Sequence, residues 1–115
     1  MVTMEIELLH IEDCPNWRDT GDRIMQVLAQ LGAPETLVRF TLLASPEEAE
    51  RVPFAGSPTV LIDGVDAFPS DGQTRDLACR IYFVDGRFAA SPSADNLRLV
   101  ISKALAARRS SPSVN

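Results

Sequence analysis

Cysteine and histidine are scarce in this chain, which has two cysteines and one histidine among 115 residues. No Cys-x-x-Cys pair occurs, and Cys14, Cys79 and His10 do not supply the four ligands of a structural zinc site. In a reducing compartment, two well-separated cysteines are more often free thiols than a structural disulfide. The scarcity therefore argues against a core that is stabilised by zinc or by disulfides.

Positive charge and long apolar runs are also in short supply. There are 11 basic residues against 16 acidic ones, which gives a net charge of −5. Because phosphate binding needs a basic stripe, this balance argues against nucleic acid and against anionic membranes as partners. No apolar run approaches the roughly 20 residues of a spanning helix, and no secretory leader is evident. We therefore expect a cytoplasmic protein with a single domain at 1–109 and a disordered tail at 110–115.

The N-terminal quarter of the chain changes from one hydrophobic period to another. Residues 4–10 form an apolar stretch typical of a strand that is buried on both faces, which predicts a central position in a sheet. From Pro15 to Leu31 the apolar residues recur every three or four positions, as in an amphipathic helix. Pro15 suits the first helical turn and Gly32 suits the residue after the last one. Cys14 therefore lies immediately before a predicted helix.

Three more strands are predicted downstream. Residues 36–43 alternate between apolar and polar positions, and residues 60–62 form an apolar run that ends at the expected turn Asp63-Gly64. Residues 64–78 are polar and rich in glycine, proline and aspartate, which predicts a long loop. Residues 79–84 have the alternation of a fourth strand, and Asp85-Gly86 is typical of a turn that ends it.

Two more helices are predicted from their start signals. Ser45, Pro46 and Glu48 supply an N-cap, a first-position proline and a capping-box glutamate. Ser91 and Pro92 repeat the first two of these signals before a final amphipathic helix. The predicted order of elements is therefore β-α-β-α-β-β-α.

This order resembles the thioredoxin-like fold over nearly the whole chain. Cys14-Pro15-Asn16-Trp17 falls where that family has its catalytic Cys-x-x-Cys, and Ser57-Pro58-Thr59 falls on its cis-proline. The resemblance implies an α/β fold with a mixed four-stranded sheet flanked by helices. It also implies that a cis Pro58 faces Cys14 across one site and exposes the Ser57 backbone to an extended substrate.

At a finer level the chain looks like small bacterial thioredoxin-like proteins, some of them labelled alkylmercury lyase. The pieces that look shared are D-C-P-N-W at 13–17, F-x-G-S-P-T at 54–59 and L-A-C-R-x-Y at 77–82. In one respect the chain departs from dithiol oxidoreductases, because Trp17 occupies the position of their resolving cysteine. Without that second thiol, the usual route from a mixed disulfide to an internal one is closed within the motif.

Cys14 is the best candidate for a reactive residue. The amide groups and dipole of a helix start favour its thiolate, whereas the adjacent Glu12 and Asp13 disfavour it. The structural alternative is a small side chain that fills the start of a helix. His10, at the end of the first strand, is a candidate base for this thiol; the alternative is a structural or solvated histidine.

Cys79 is the candidate second thiol. It would resolve Cys14 through a long-range disulfide, or bind a soft ion such as Hg(II) or Cu(I) together with it. Arg80, beside it, would favour the thiolate form. The usual topology of the family argues against contact, because the strand that Cys79 opens would begin at the far end of the sheet from the site. The length of the segment at 64–78 leaves room for a different path.

The remaining site residues are expected to shape the pocket. Trp17 follows Cys14 by one helical turn, so it either forms a wall of the site or packs in the core. Ser57, Pro58 and Thr59 are expected to shape the substrate site. The alternative for Pro58 is an ordinary trans-proline at a strand entrance.

These residues leave three functional hypotheses. The leading one is thiol–disulfide exchange or reversible S-thiolation at a monothiol Cys14, with a small thiol or a protein disulfide as partner and no cofactor. The second is soft-metal or organomercurial binding, or lyase activity, through Cys14 and Cys79. The third is a scaffold that has this fold without its chemistry.

Overall fold

The computed structural model describes residues 4–12, 16–68, 77, 80, 82–84 and 86–110. Its elements are β1 (Glu5–His10), α1 (Asn16–Gln30), β2 (Leu37–Leu42), α2 (Pro46–Glu50), β3 (Thr59–Ile62), β4 (Val65–Asp66), β5 (Tyr82–Val84), β6 (Arg87–Ala89) and α3 (Ala94–Ser110). The predicted combination of helices with a mixed four-stranded sheet is present. The predictions that concern Cys14, Pro15 and Cys79 fall outside the described residues.

β1 lies inside the four-stranded sheet, whose order is β2-β1-β3-β4. β2 pairs with β1 in parallel along its whole length, and β3 pairs with it in antiparallel fashion on the other side. Ile6, Leu8 and Leu9 are fully buried, as expected for a strand that is covered on both faces. The prediction of a central first strand is confirmed.

Two apolar clusters lie on opposite faces of this sheet. The cluster that joins the sheet to α1 and α3 includes Ile6, Leu8, Ile24, Leu28, Val60, Leu97 and Ile101. The cluster that joins it to α2 consists of Leu9, Ile11, Leu43, Ala49, Phe54 and Leu61. Since successive side chains of a strand point to opposite faces, Leu8 and Leu9 belong to different clusters. The sheet therefore lies between α1 and α3 on one side and α2 on the other.

The first two helices end and begin where their sequence signals lie. Gly32 follows α1 with a positive φ of 77°, a conformation that glycine adopts without steric cost. Ser45 caps α2, and its Oγ accepts a hydrogen bond of 3.2 Å from the Glu48 amide. The Glu48 carboxylate accepts one of 2.7 Å from the amide of Ala44, one residue earlier than a capping box requires.

The last helix begins later and ends later than predicted. Its N-cap is Ser93 and not Ser91, because the Ser93 hydroxyl accepts a hydrogen bond of 3.0 Å from the Asn96 amide. Ser91 instead accepts one of 2.8 Å from the guanidinium of Arg23 on α1. Ser110, assigned to a disordered tail, is the last residue of α3. No helix in the described part of the chain is long and apolar enough to cross a membrane.

The strand predicted at 79–84 is confirmed at Tyr82–Val84, but among the described residues the fourth strand of the sheet is a different one. β3 is followed at once by Asp63-Gly64, and both residues have positive φ, 52° and 84°. Such a two-residue turn matches the twist of an antiparallel pair, so Val65–Asp66 folds back onto β3 as β4. β5 pairs with β6 around Gly86, in a hairpin that is separate from the four-stranded sheet within the described residues. The segment at 64–78 therefore opens with a strand, which the loop prediction missed.

Candidate functional site

Ser57 joins the two stretches of chain that contain the cysteines. It lies just before β3 and is fully buried. Its Oγ accepts a hydrogen bond of 3.1 Å from the amide of Ile11, three residues before Cys14. Its carbonyl oxygen accepts one of 2.8 Å from the amide of Arg80, the residue after Cys79. The side chain and the carbonyl of Ser57 are therefore both used to hold these stretches together.

The loop around Pro58 is buried, and its polar groups are hydrogen-bonded within the protein. The Ser57–Pro58 peptide bond is cis, which confirms the prediction for Pro58. The expectation that the Ser57 backbone is exposed to a substrate is wrong for its carbonyl group, because the Arg80 amide occupies it. Thr59 is also buried, and its hydroxyl donates to the Gly56 carbonyl at 2.5 Å. A direct contact between these residues and a substrate stays a prediction.

A polar cluster behind this loop fixes Arg80 and Tyr82. The Tyr82 hydroxyl donates to the carbonyl of Pro58, and burial raises the pKa of Tyr82, so that it stays protonated. The Arg80 guanidinium donates to both carboxylate oxygens of Asp66, at 3.0 and 3.2 Å, and to the carbonyl of Phe68. It also lies 4.7 Å from the centre of the Tyr82 ring. The cluster anchors residue 80 beside the cis-proline loop.

The charge of Arg80 is already compensated within this cluster. Its side chain is 7% exposed and forms an ion pair with Asp66, whose side chain is 16% exposed. A buried guanidinium needs such a carboxylate partner, and the paired charges leave little field for a third group. The expectation that Arg80 favours a thiolate at Cys79 therefore loses its physical basis.

His10 and Trp17 stack at the carboxyl end of β1. Their ring centroids are 4.1 Å apart with an interplanar angle of 20°, and Phe40 on β2 packs against Trp17 at 5.8 Å. Trp17 is half-buried and packs against the cluster shared with α1 and α3, which is one of its two predicted roles. Its other predicted role, as a wall beside Cys14, involves a residue outside the described part of the chain.

Burial favours the neutral form of His10. It is 7% exposed, and its Nδ1 has no hydrogen-bond partner among the described residues. Burial lowers the pKa of His10, and the neighbouring backbone of Ile11 opposes this only in part. A neutral imidazole can accept a proton, whereas it supplies no positive charge to stabilise a thiolate. His10 can therefore assist a cysteine as a base that accepts its proton, but not as a positive charge that stabilises its thiolate.

Sequence reasoning missed Asp66 and Tyr82 as parts of this site. A signal was available, because an arginine within the apolar alternation of 79–84 has to find a carboxylate if it is buried. The partner lies 14 residues away and comes from the hairpin that was not predicted. Within the described residues, no three histidine, cysteine, aspartate or glutamate side chains lie close enough to hold a metal ion. The two predicted metal ligands, Cys14 and Cys79, fall outside that set.

No family model, no curated protein and no solved structure matches this chain.

The contact between Gly56 and Arg80 provides a test of the site's construction. Gly56 has a φ of 111°, and a Cβ there would lie 2.7 Å from the Cβ of Arg80 and 2.8 Å from its Cα. Gly64 also has a positive φ, of 84°, but has nothing within 4 Å of a Cβ and is a matched control. We expect Gly64→Ala to lower the free energy of unfolding by about 1–2 kcal/mol, the cost of left-handed backbone. Gly56→Ala should lower it by about 1–3 kcal/mol more, because the backbone at Arg80 has to move. Urea unfolding of both variants measures the difference, and equal losses would contradict the tight packing of these two segments.

The neutral state of His10 predicts how stability depends on pH. His10 is the only histidine in the chain. Its pKa is lowered in the folded state, so below about 6.5 the unfolded chain binds the proton more readily. Stability should therefore fall as the pH drops through this region, by at most about 1.4 kcal/mol per pH unit, until the folded-state pKa is reached. Urea unfolding between about pH 5.5 and 7.5 measures this slope. His10→Phe keeps a ring against Trp17 and should flatten the slope, whereas an unchanged slope would show that His10 titrates normally.

Proposed function

We propose that this chain is a thiol-exchange protein in which Cys14 is the nucleophile and Cys79 supplies the second thiol. The observation that carries the proposal is the pair of hydrogen bonds at Ser57, to the amides of Ile11 and Arg80. Adjacent Cα atoms are about 3.8 Å apart and three residues span at most about 11 Å. The chain therefore limits how far either cysteine can lie from Ser57, and this limit supports an encounter between them.

A small cavity gives independent support for that encounter. Glu12 and Leu77, which precede Cys14 and Cys79 by two residues each, both line this cavity. Two residues of chain reach at most about 7 Å, and this short reach supports the proposal that both thiols act beside the same cavity. This supports Cys79 as the resolving thiol that is missing where Trp17 follows Cys14.

A thioredoxin-like fold is part of the proposal. Its support is the strand order β2-β1-β3-β4, with β1 and β2 parallel, β3 antiparallel and a cis-proline directly before β3. In proteins of that fold the cis-proline faces the reactive cysteine, as proposed here for Pro58 and Cys14. The buried cis-proline loop then serves to position the segments that carry the thiols.

The proposed reaction consists of two exchange steps. The Cys14 thiolate attacks a disulfide R–S–S–R, which gives Cys14–S–S–R and releases R–S⁻, and this thiolate takes a proton from solvent. The Cys79 thiolate then attacks the sulfur of Cys14, which forms the internal disulfide and releases the second R–S⁻. The two protein thiols are oxidised and the external disulfide is reduced to two thiols. The neutral imidazole of His10 is the proposed acceptor of the Cys14 proton.

Trapping the mixed disulfide and the internal disulfide tests this function. We expect alkylation of Cys14 at graded pH to titrate below the ordinary thiol value of about 8.5. With 2-hydroxyethyl disulfide, the wild-type protein should end with an internal disulfide, and Cys79→Ser should stop at a mixed disulfide on Cys14. Cys14→Ser should form neither species at a comparable rate. Mass spectrometry of the acid-quenched products distinguishes these outcomes.

Soft-metal or organomercurial binding is the second candidate, because the same junction at Ser57 favours it. Two neighbouring thiolates suit a soft ion such as Hg(II). If the wild-type protein forms neither a mixed nor an internal disulfide at any pH, thiol exchange is contradicted. Binding of one Hg(II) per chain, lost in both Cys14→Ser and Cys79→Ser, would then favour the metal function. If Hg(II) does not bind either, the remaining hypothesis is a scaffold that has this fold without its chemistry.

A further inference from the structure

We propose that the cavity between the ends of β1 and β2 is the subsite that recognises the substrate, and that it takes a small apolar disulfide or thiol without negative charge. This inference rests on the proposed thiol-exchange function and adds the class of substrate. The cavity has a volume of about 150 Å³ and is lined by Ile11, Glu12, Leu42, Leu43, Ala44 and Leu77.

The position of the cavity follows from the sheet. β1 and β2 are parallel, and their last paired residues are His10 and Leu42. Just beyond them the Leu43 amide donates a hydrogen bond of 2.8 Å to the His10 carbonyl. The segments that follow β1 and β2 therefore stay side by side where they leave the sheet. Open α/β sheets bind their ligands beyond the carboxyl ends of the strands. The cavity therefore lies at the edge of the sheet where a ligand is expected.

The lining of the cavity suits a small apolar group. Ile11 and Leu43 are buried members of the α2 cluster, and Leu77 packs against that cluster. Leu42 is 48% exposed at the rim, where it can gain burial from a ligand. Pockets for drug-sized ligands have volumes of roughly 300 Å³ or more, so this one suits a single short hydrocarbon group and is too small for a tripeptide such as glutathione.

The charge around the cavity disfavours anions. Among the described residues that line it, Glu12 is the charged one, and its side chain is exposed. Arg80, the residue after Cys79, offers no compensation because its guanidinium is paired with Asp66. The whole chain carries a net charge of −5. A carboxylate about 4 Å from that of Glu12 in water would be disfavoured roughly fivefold, which separates neutral from anionic substrates.

A matched series of disulfides tests this inference on the full chain with Cys79→Ser, which traps the mixed disulfide on Cys14. The series consists of diethyl disulfide, 2-hydroxyethyl disulfide and dithiodiglycolate, which are respectively apolar, polar and anionic at similar size. Each second-order rate constant is divided by that of 2-mercaptoethanol with the same disulfide, which removes differences between leaving groups. We expect the normalised rates to fall in the order given, with the anionic member roughly fivefold or more below the polar one.

Two pairs of variants locate the effect. Leu42→Asn should slow diethyl disulfide by about fivefold and slow 2-hydroxyethyl disulfide less, because it removes apolar contact area that the more polar substrate uses less. Leu37→Asn is its control, since Leu37 lies at the other end of β2 and is 51% exposed. Glu12→Lys should raise the rate of dithiodiglycolate by about fivefold or more. Its control is Glu35→Lys, which makes the same change in net charge at an exposed residue outside the cavity.

Failure of the inference and failure of the proposed function give different results. If Cys14 reacts with all three disulfides no faster than 2-mercaptoethanol does, thiol exchange is contradicted. If Cys14 reacts faster than that but with equal normalised rates, or if each variant and its control change the rates equally, the cavity does not select the substrate. Thiol exchange would stand in that second case. The predicted order of rates, changed only by Leu42→Asn and Glu12→Lys, supports both.

Discussion

The site depends on two buried hydrogen bonds made by one residue. The hydroxyl of Ser57 holds the end of β1 through Ile11, and its carbonyl holds residue 80. Leaving a buried polar group without its partner costs about 1–3 kcal/mol, so neither bond can be lost without a substantial fraction of the stability of a small domain. The loop before β3 is in turn fixed by Tyr82, which donates to the carbonyl of Pro58. The relative position of the two cysteine-bearing stretches is thus a property of this one loop.

The β3–β4 hairpin has a role in the same arrangement. Its turn at Asp63-Gly64 returns the chain alongside β3, which brings Asp66 to the guanidinium of Arg80. Without that carboxylate, burying an arginine beside Ser57 would leave an uncompensated charge in the interior. The hairpin therefore makes it possible for residue 80, and with it the chain next to Cys79, to lie against the cis-proline loop. In this way the β3–β4 hairpin, at one edge of the sheet, stabilises the contact between Arg80 and Ser57 just before the start of β3.

Local signals were sufficient for much of the fold. The central β1, the end of α1 at Gly32, the cap of α2 at Ser45 and the cis bond at Pro58 were all predicted, because periodicity, capping and one family motif specify them. β4 was missed although Asp63-Gly64 is a strong hairpin signal, since the polar residues after it outweighed the turn. The meeting of Arg80 with Ser57 could not be read from the sequence at all. It depends on a partner for a buried charge and on a contact between residues 23 positions apart.

In the proposed function, the Ser57 junction brings Cys14 and Cys79 within reach of each other. The most direct measurement is the distance between their Cα atoms in an experimentally determined structure of the reduced protein. We expect a separation below about 7 Å, the limit for a disulfide without backbone movement. A clearly larger separation, with both Ser57 hydrogen bonds intact, would contradict it.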